Sequence, residues 1–131
     1  MFRLDKKKIF LLYQYYLLDK KKELIKPEMT DKGLKKFAWL KECWEKESFL
    51  QRKISKNLKE SWDFSRLPPL EKAILIYATH ELFFGLSTTS KKMLLDQVIN
   101  FSKVYLEEGK HKYINKNLDL SWKDLSCLNF N

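Results

Sequence analysis

Apolar residues recur at helical spacing along almost the whole chain. Between Lys6 and Leu18, Ile9, Leu12, Tyr13, Tyr16 and Leu17 return every three or four positions, as one face of a helix does. Leu11, Tyr15 and Leu18 add a second apolar edge, so two sides of this helix should be covered. Lys20, Lys21 and Lys22 follow, cations suited to the negative end of a helix, and Pro27 closes the segment. Thr30 or Asp31 can cap the next helix, which carries Leu34, Phe37, Ala38, Leu40 and Trp44. The pattern continues through Phe49, Leu50, Ile54 and Leu58 without Gly or Pro. A break is expected near Glu47–Ser48, with Ser48 as the cap.

Residues 62–67 form a connector ended by Pro68 and Pro69. Proline suits a helix start, because its φ is already helical and its missing N–H is not needed there. Leu70 to Phe84 is apolar nearly all round, the mark of a central buried helix, and Gly85 is its natural stop. Thr88, Thr89 or Ser90 caps a helix that runs on Met93, Leu94, Val98, Ile99, Phe101 and Tyr105 to Leu106. Glu107-Glu108-Gly109 reads as a turn, and Lys110 to Leu120 as a short last helix. The tail keeps Trp122, Leu125 and Leu128, so it should fold back on the body. Only three Gly and three Pro occur, which favours helices with short loops over a many-turned β fold. The fold class expected is all-α.

Composition narrows the function. A chain of 131 residues is expected to form one domain, 1–131, large enough for a real core. Its apolar and charged fractions, 44% and 33%, are those of a globular chain, not a disordered one. No apolar run approaches the roughly 20 residues of a membrane span. The charges from Arg3 to Lys8 have no long apolar core behind them, unlike a signal peptide. The net charge of +9 makes nucleic acid the first partner to consider and an acidic protein or membrane surface the second. Almost all of the positive charge is lysine, with arginine only at Arg3, Arg52 and Arg66.

Catalytic chemistry finds little footing. Cys43 and Cys127 are far apart and fit no metal spacing, so they read as thiols of a reducing cytosol. His80 and His111 have no Cys, Ser or second His at a diagnostic distance, and no Gly-rich phosphate loop occurs. His80, inside an apolar helix, reads as a packed and hydrogen-bonded residue. No catalytic residue, metal site or cofactor is expected.

The order of residues from Trp62 to Asp119 is more specific. Trp62, Arg66, Leu67, Glu71, Lys72, Ala73, Ile74, Leu75, Ala78, Glu81 and Leu82 lead the series. Lys103, then Lys112, Tyr113, Ile114, Asn115, Leu118 and Asp119, complete it. In this order and near spacing the chain resembles the NusB family, small helical RNA-binding proteins of bacterial transcription antitermination. The resemblance implies two packed helical sub-bundles with about seven helices. It implies a non-enzymatic, cytoplasmic factor that acts in the transcription elongation complex. Its partners would be boxA-like single-stranded RNA and NusE, a ribosomal protein of the small subunit, with no membrane involved.

The resemblance also assigns residues. Arg3, Lys6, Lys7 and Lys8, with Lys112 and Tyr113, would form one RNA surface, and Lys116 is a further RNA-binding candidate. Lysines draw phosphates without reading sequence, and a tyrosine face can stack an unpaired base for roughly 1–3 kcal/mol. Tyr13 and Glu71 would share an exposed face that docks NusE. Each has a structural alternative: Tyr113 as a core aromatic, and Glu71 as a first-turn acid at a positive helix N-terminus. Lys103 and Glu81 could simply pair. Three departures matter. The family's N-terminal arginines are mostly lysines here, which removes planar, bidentate contacts. Lys116 replaces a glycine, either adding a phosphate contact or filling space that RNA needs. Gln97 stands where the family usually has an acid. These departures keep open a second reading, a helical protein–protein adaptor with lost or weak RNA specificity.

Overall fold

The computed structural model describes residues 2–85 and 88–128, except for the side chains of 88, 89 and 126–128. Among these residues six α-helices follow in order: α1 Lys6–Leu17, α2 Asp31–Glu45, α3 Glu47–Lys56, α4 Pro69–His80, α5 Thr88–Tyr105 and α6 Lys110–Leu128. No strand occurs among the described residues. α1 pairs with α2, and α5 pairs with α6. α3 and α4 join these two pairs, and the α1–α4 contact is the most extensive among the described residues.

α4 is the buried axis that its all-round apolar surface predicts. Pro69 opens it, and every residue from Ala73 to His80 is buried, with Ile74 and Ala78 fully enclosed. The regular helix stops at His80 instead of Phe84. A π-helical turn, Glu81–Gly85, completes the predicted span. α6 departs further: it does not end at Leu120 but runs to Leu128. No Gly or Pro interrupts it, and the end of α3 supplies partners. Asn117 donates to the Ile54 carbonyl at 3.0 Å, and Asn57 donates to Ser121 Oγ at 3.2 Å.

The expected break between α2 and α3 is present, but Ser48 does not cap it. Lys46 closes α2 and opens α3, with no side-chain cap. Of the two expected caps for α2, Thr30 serves and Asp31 is the first helical residue; the Thr30 hydroxyl accepts from the Gly33 N–H at 3.0 Å. Gly33 is there for room: a Cβ at this position would lie 2.3 Å from the Glu28 carbonyl oxygen. The segment before α2 can therefore rest directly on the helix.

α1 starts on a cap that the apolar pattern did not reveal. Asp5 accepts from the Lys8 N–H at 3.2 Å and pairs with Lys36 Nζ at 2.5 Å. Its own N–H donates to the Tyr77 hydroxyl at 3.0 Å, tying the start of α1 to α4. Burial opposes ionisation of Asp5, but the Lys36 ammonium and the Lys8 N–H outweigh it and hold the carboxyl below its ordinary value. Its stabilisation is therefore present above the ordinary aspartate pKa and is lost as pH falls through the lower folded value. Asp5→Ala is expected to cost about 0.5–2 kcal/mol, the range for a lost N-cap. Urea unfolding of the parent and variant at neutral and acid pH tests this, since the difference should shrink on acidification.

Candidate nucleic-acid interface

Tyr113 sits in the second turn of α6, where its neighbours Ile114, Asn117 and Leu118 are buried against the body. The ring is half-buried, neither free on the surface nor enclosed in the core. Its edge meets Trp62 at 4.9 Å between centroids and 79° between planes. Its hydroxyl donates to a Glu71 carboxylate oxygen. Burial first, and then Glu71, push the Tyr113 phenol far above its ordinary pKa. The ring is thus fixed in position while part of it stays open.

The two aromatics border a recess of about 230 Å³ whose walls include Lys56, Lys59 and Lys116. Lys59 Nζ lies 5.5 Å from the Trp62 ring centroid, within cation–π reach. Trp62 also lines a second recess of about 240 Å³ with Arg66, Lys110 and Glu71. Lys56 and Lys59 were not singled out by the sequence. They lie in and just after a helix far from Tyr113 in the chain, and only the packing of α3 on α6 brings them there. Lys116, exposed, lines the first recess, and Lys112 is exposed on the same helix.

The N-terminal cations divide. Arg3 and Lys6 border a recess of about 370 Å³ with Asn100, Phe101, Val104 and Tyr105. Tyr105 is stacked on Phe101 at 4.4 Å and 26°, and Lys6 Nζ is 6.0 Å from its ring. The sequence placed Tyr105 in the apolar stripe of its helix, yet it is 43% exposed. Lys7 faces a groove between α1 and α2. Lys8 lies over Trp39, with Nζ 4.8 Å from the ring centroid. Of the residues expected to form one RNA surface, Arg3 and Lys6 share one recess, Lys7 borders a second and Tyr113 a third, while Lys8 lies over Trp39 and Lys112 is exposed on α6. Lys6, Lys7 and Lys8 diverge for a geometric reason, because consecutive residues on a helix point about 100° apart.

Gln97 gives the departure from an acid a structural role. Its Oε1 accepts from the Leu4 N–H at 2.7 Å, and its Nε2 donates to the Phe2 carbonyl at 2.9 Å. The amide thus holds both sides of the arm that carries Arg3. A carboxylate could accept from Leu4 but could not donate to Phe2. Gln97→Glu is expected to loosen the arm by about 0.5–1.5 kcal/mol, one hydrogen bond's worth. Urea unfolding of parent and variant checks this, and Gln97→Ala, which removes both bonds, should lose more.

The expected docking face of Tyr13 and Glu71 needs correction. Tyr13 is half-buried on α1, and Glu71 is buried, only 5% exposed, in the first turn of α4. Its carboxylate is taken by Tyr113, not presented to solvent. The helix N-terminus draws an acid to this position, and α6 then covers it. Glu81 likewise does not pair with Lys103, which is exposed. It accepts from Trp39 Nε1 at 3.2 Å. His80 is packed, but neither ring nitrogen has a hydrogen-bond partner among the described residues. Carboxylate oxygens of Glu42 and Glu81 lie 3.6 and 3.8 Å away.

Burial raises the Cys43 thiol far above its ordinary pKa, which keeps it an unreactive core residue. The Cys127 side chain lies outside the described residues. Among the described residues no group of three His, Cys, Asp or Glu could hold a metal ion. None of their helices is long and apolar enough to cross a membrane.

These features define a small all-helical domain whose surface carries lysine-edged aromatic recesses. The profile of the NusB family matches residues 8–119, and the chain belongs to that family. Among its relatives is the transcription antitermination protein NusB of Sulfurimonas denitrificans, 37% identical over 71 residues, covering 54% of this chain and 52% of that protein. The protein of the same name from Wolinella succinogenes is 32% identical over 76 residues, covering 58% and 54%. That of Helicobacter pylori is 36% identical over 73 residues, covering 56% and 51%. The chain spans about half the length of the curated relatives it matches. No solved structure matches it significantly.

Proposed function

We propose that this protein is a non-enzymatic transcription antitermination factor of the cytoplasm. In this reading it binds boxA-like single-stranded RNA together with NusE in the transcription elongation complex. The observation that carries the reading is the Trp62–Tyr113 recess, walled by Lys56, Lys59 and Lys116 within the part of the chain that matches the family. Aromatic planes stack bases of any sequence, and ammonium groups around them neutralise the adjoining phosphates. Arg3, Lys6, Lys7, Lys8 and Lys112 extend the positive surface. Tyr13 is the partner residue for NusE, and Glu71 acts from beneath by fixing Tyr113.

A salt series of RNA titrations, with and without NusE, tests the reading. The parent is expected to bind a boxA-like oligonucleotide weakly alone and more tightly with NusE, because lysine lacks the directional contacts of arginine. Lys59→Ala and Lys116→Ala should each flatten the plot of log affinity against log salt by about 0.7, the value for one phosphate of a single strand. NusE binding that RNA neither strengthens nor needs would establish the adaptor reading instead.

A further inference from the structure

Lys6 and Lys7, adjacent in the chain, line two different depressions. Lys6 borders the recess with Tyr105, and Lys7 borders a groove of about 310 Å³ between α1 and the start of α2. That volume lies at the lower end of ligand-sized pockets, about 300–1,000 Å³. The groove is preformed, because Gly33 lets the backbone at Glu28 rest on α2 and so positions Lys26 and Pro27 at the rim.

Its charge is one-sided. Lys7, Lys26, Lys32 and Lys36 face it against one carboxylate, Glu28. Lys36 is engaged by Asp5, whereas Lys7, Lys26 and Lys32 have no ion pair among the described residues. Phe10 supplies an apolar plane that is 39% exposed. The same ring meets Tyr105 at 5.8 Å and Phe101 at 6.0 Å, and both of those line the neighbouring recess. Phe10 therefore makes the two depressions one aromatic track across the first turns of α1, with cations on both sides.

We propose that a single RNA strand follows this track. Nucleotides flanking the boxA-like core would seat in the α1–α2 groove, with a base against Phe10 and phosphates on Lys7, Lys26 and Lys32. This rests on the RNA-binding reading and extends it to a second base-binding position. An acidic peptide would satisfy the lysines, but the exposed rings that link the groove to the Arg3–Lys6 recess favour a strand that presents bases and phosphates in succession.

The test uses the full chain with NusE, a core boxA-like oligonucleotide, and the same RNA extended by a few nucleotides at one end or the other. Extension at one end is expected to tighten binding roughly tenfold, about the effect of one stacked base. The Lys26→Ala, Lys32→Ala double variant, whose two side chains are exposed, should abolish that gain and leave core affinity unchanged. Circular dichroism confirms that it is folded. Equal affinity for core and extended RNAs overturns the proposal. So does a double variant that keeps the gain, or one that loses affinity for both RNAs equally. Reduced NusE affinity with unchanged RNA affinity would assign the groove to a protein partner and also overturn it. A parent that fails to bind even the core RNA would remove the RNA-binding reading itself, a result distinct from failure of the groove alone.

Discussion

Ile74→Ala is expected to lower the unfolding free energy by about 2–5 kcal/mol, the range for truncating a buried aliphatic side chain. Ile74 is fully enclosed in α4, the helix that touches α1, α3, α5 and α6. No solvent-facing side exists toward which the cavity could collapse, and packed interiors relax only in part. Leu17→Ala is the control. That side chain is 55% exposed on α1, and its loss should change stability by less than about 0.5 kcal/mol. Equilibrium urea unfolding followed by circular dichroism measures both. A small effect at Ile74 would mean that α4 is not the central packing element.

Glu71→Lys is expected to be destabilising as well, where an exposed docking residue would tolerate it. The substitution removes the acceptor of the Tyr113 hydroxyl and puts an ammonium in a buried place beside Arg66 and Lys110. A hydrogen bond to a charged group contributes about 1.5–3 kcal/mol, and the new buried cation adds to the loss. It also reverses a favourable charge in the first turn of α4. Glu71→Gln keeps an acceptor for the phenol and should lose less, below about 1.5 kcal/mol. Together the two variants separate direct contact from positioning. If NusE or RNA affinity falls in Glu71→Lys but survives in Glu71→Gln, Glu71 acts through Tyr113. If both lose NusE affinity with stability intact, the carboxylate itself meets the partner. An unchanged melting temperature in Glu71→Lys would contradict the burial on which this expectation stands.

The interface is more coupled than its residue list suggests. Tyr113 was expected to serve RNA and Glu71 to serve NusE, yet they share one hydrogen bond. A change at either residue is felt at the other, so single-variant affinities here should not be added. A Tyr113→Phe variant is informative for this reason, because it keeps the ring and releases Glu71.

Helix periodicity, scarce Gly and Pro, and the all-round apolar surface of residues 70–84 are properties of the chain itself. They were enough to indicate an all-α fold, the α2–α3 break, a cap at Thr30 or Asp31 and the burial of Ile74 and Ala78, because local backbone preference and apolar spacing act over a few residues. The ordered residues from Trp62 to Asp119 were likewise enough to point to the NusB family. Other features depend on which helices meet. Glu71 is polar and opens a helix, so nothing in its neighbours said that α6 would cover it. Tyr105 continues an apolar stripe, yet it lies at the end of α5, where Phe10 and Phe101 shield it only in part. Lys6 and Lys7 look like one cluster in the chain and diverge by the turn of the helix. Lys59 comes to Trp62 and Tyr113, and Gln97 to Phe2 and Leu4, across gaps in sequence that no periodicity spans. A side chain's polarity is a local property, whereas its burial and its partners are set by the surfaces that tertiary packing brings against it.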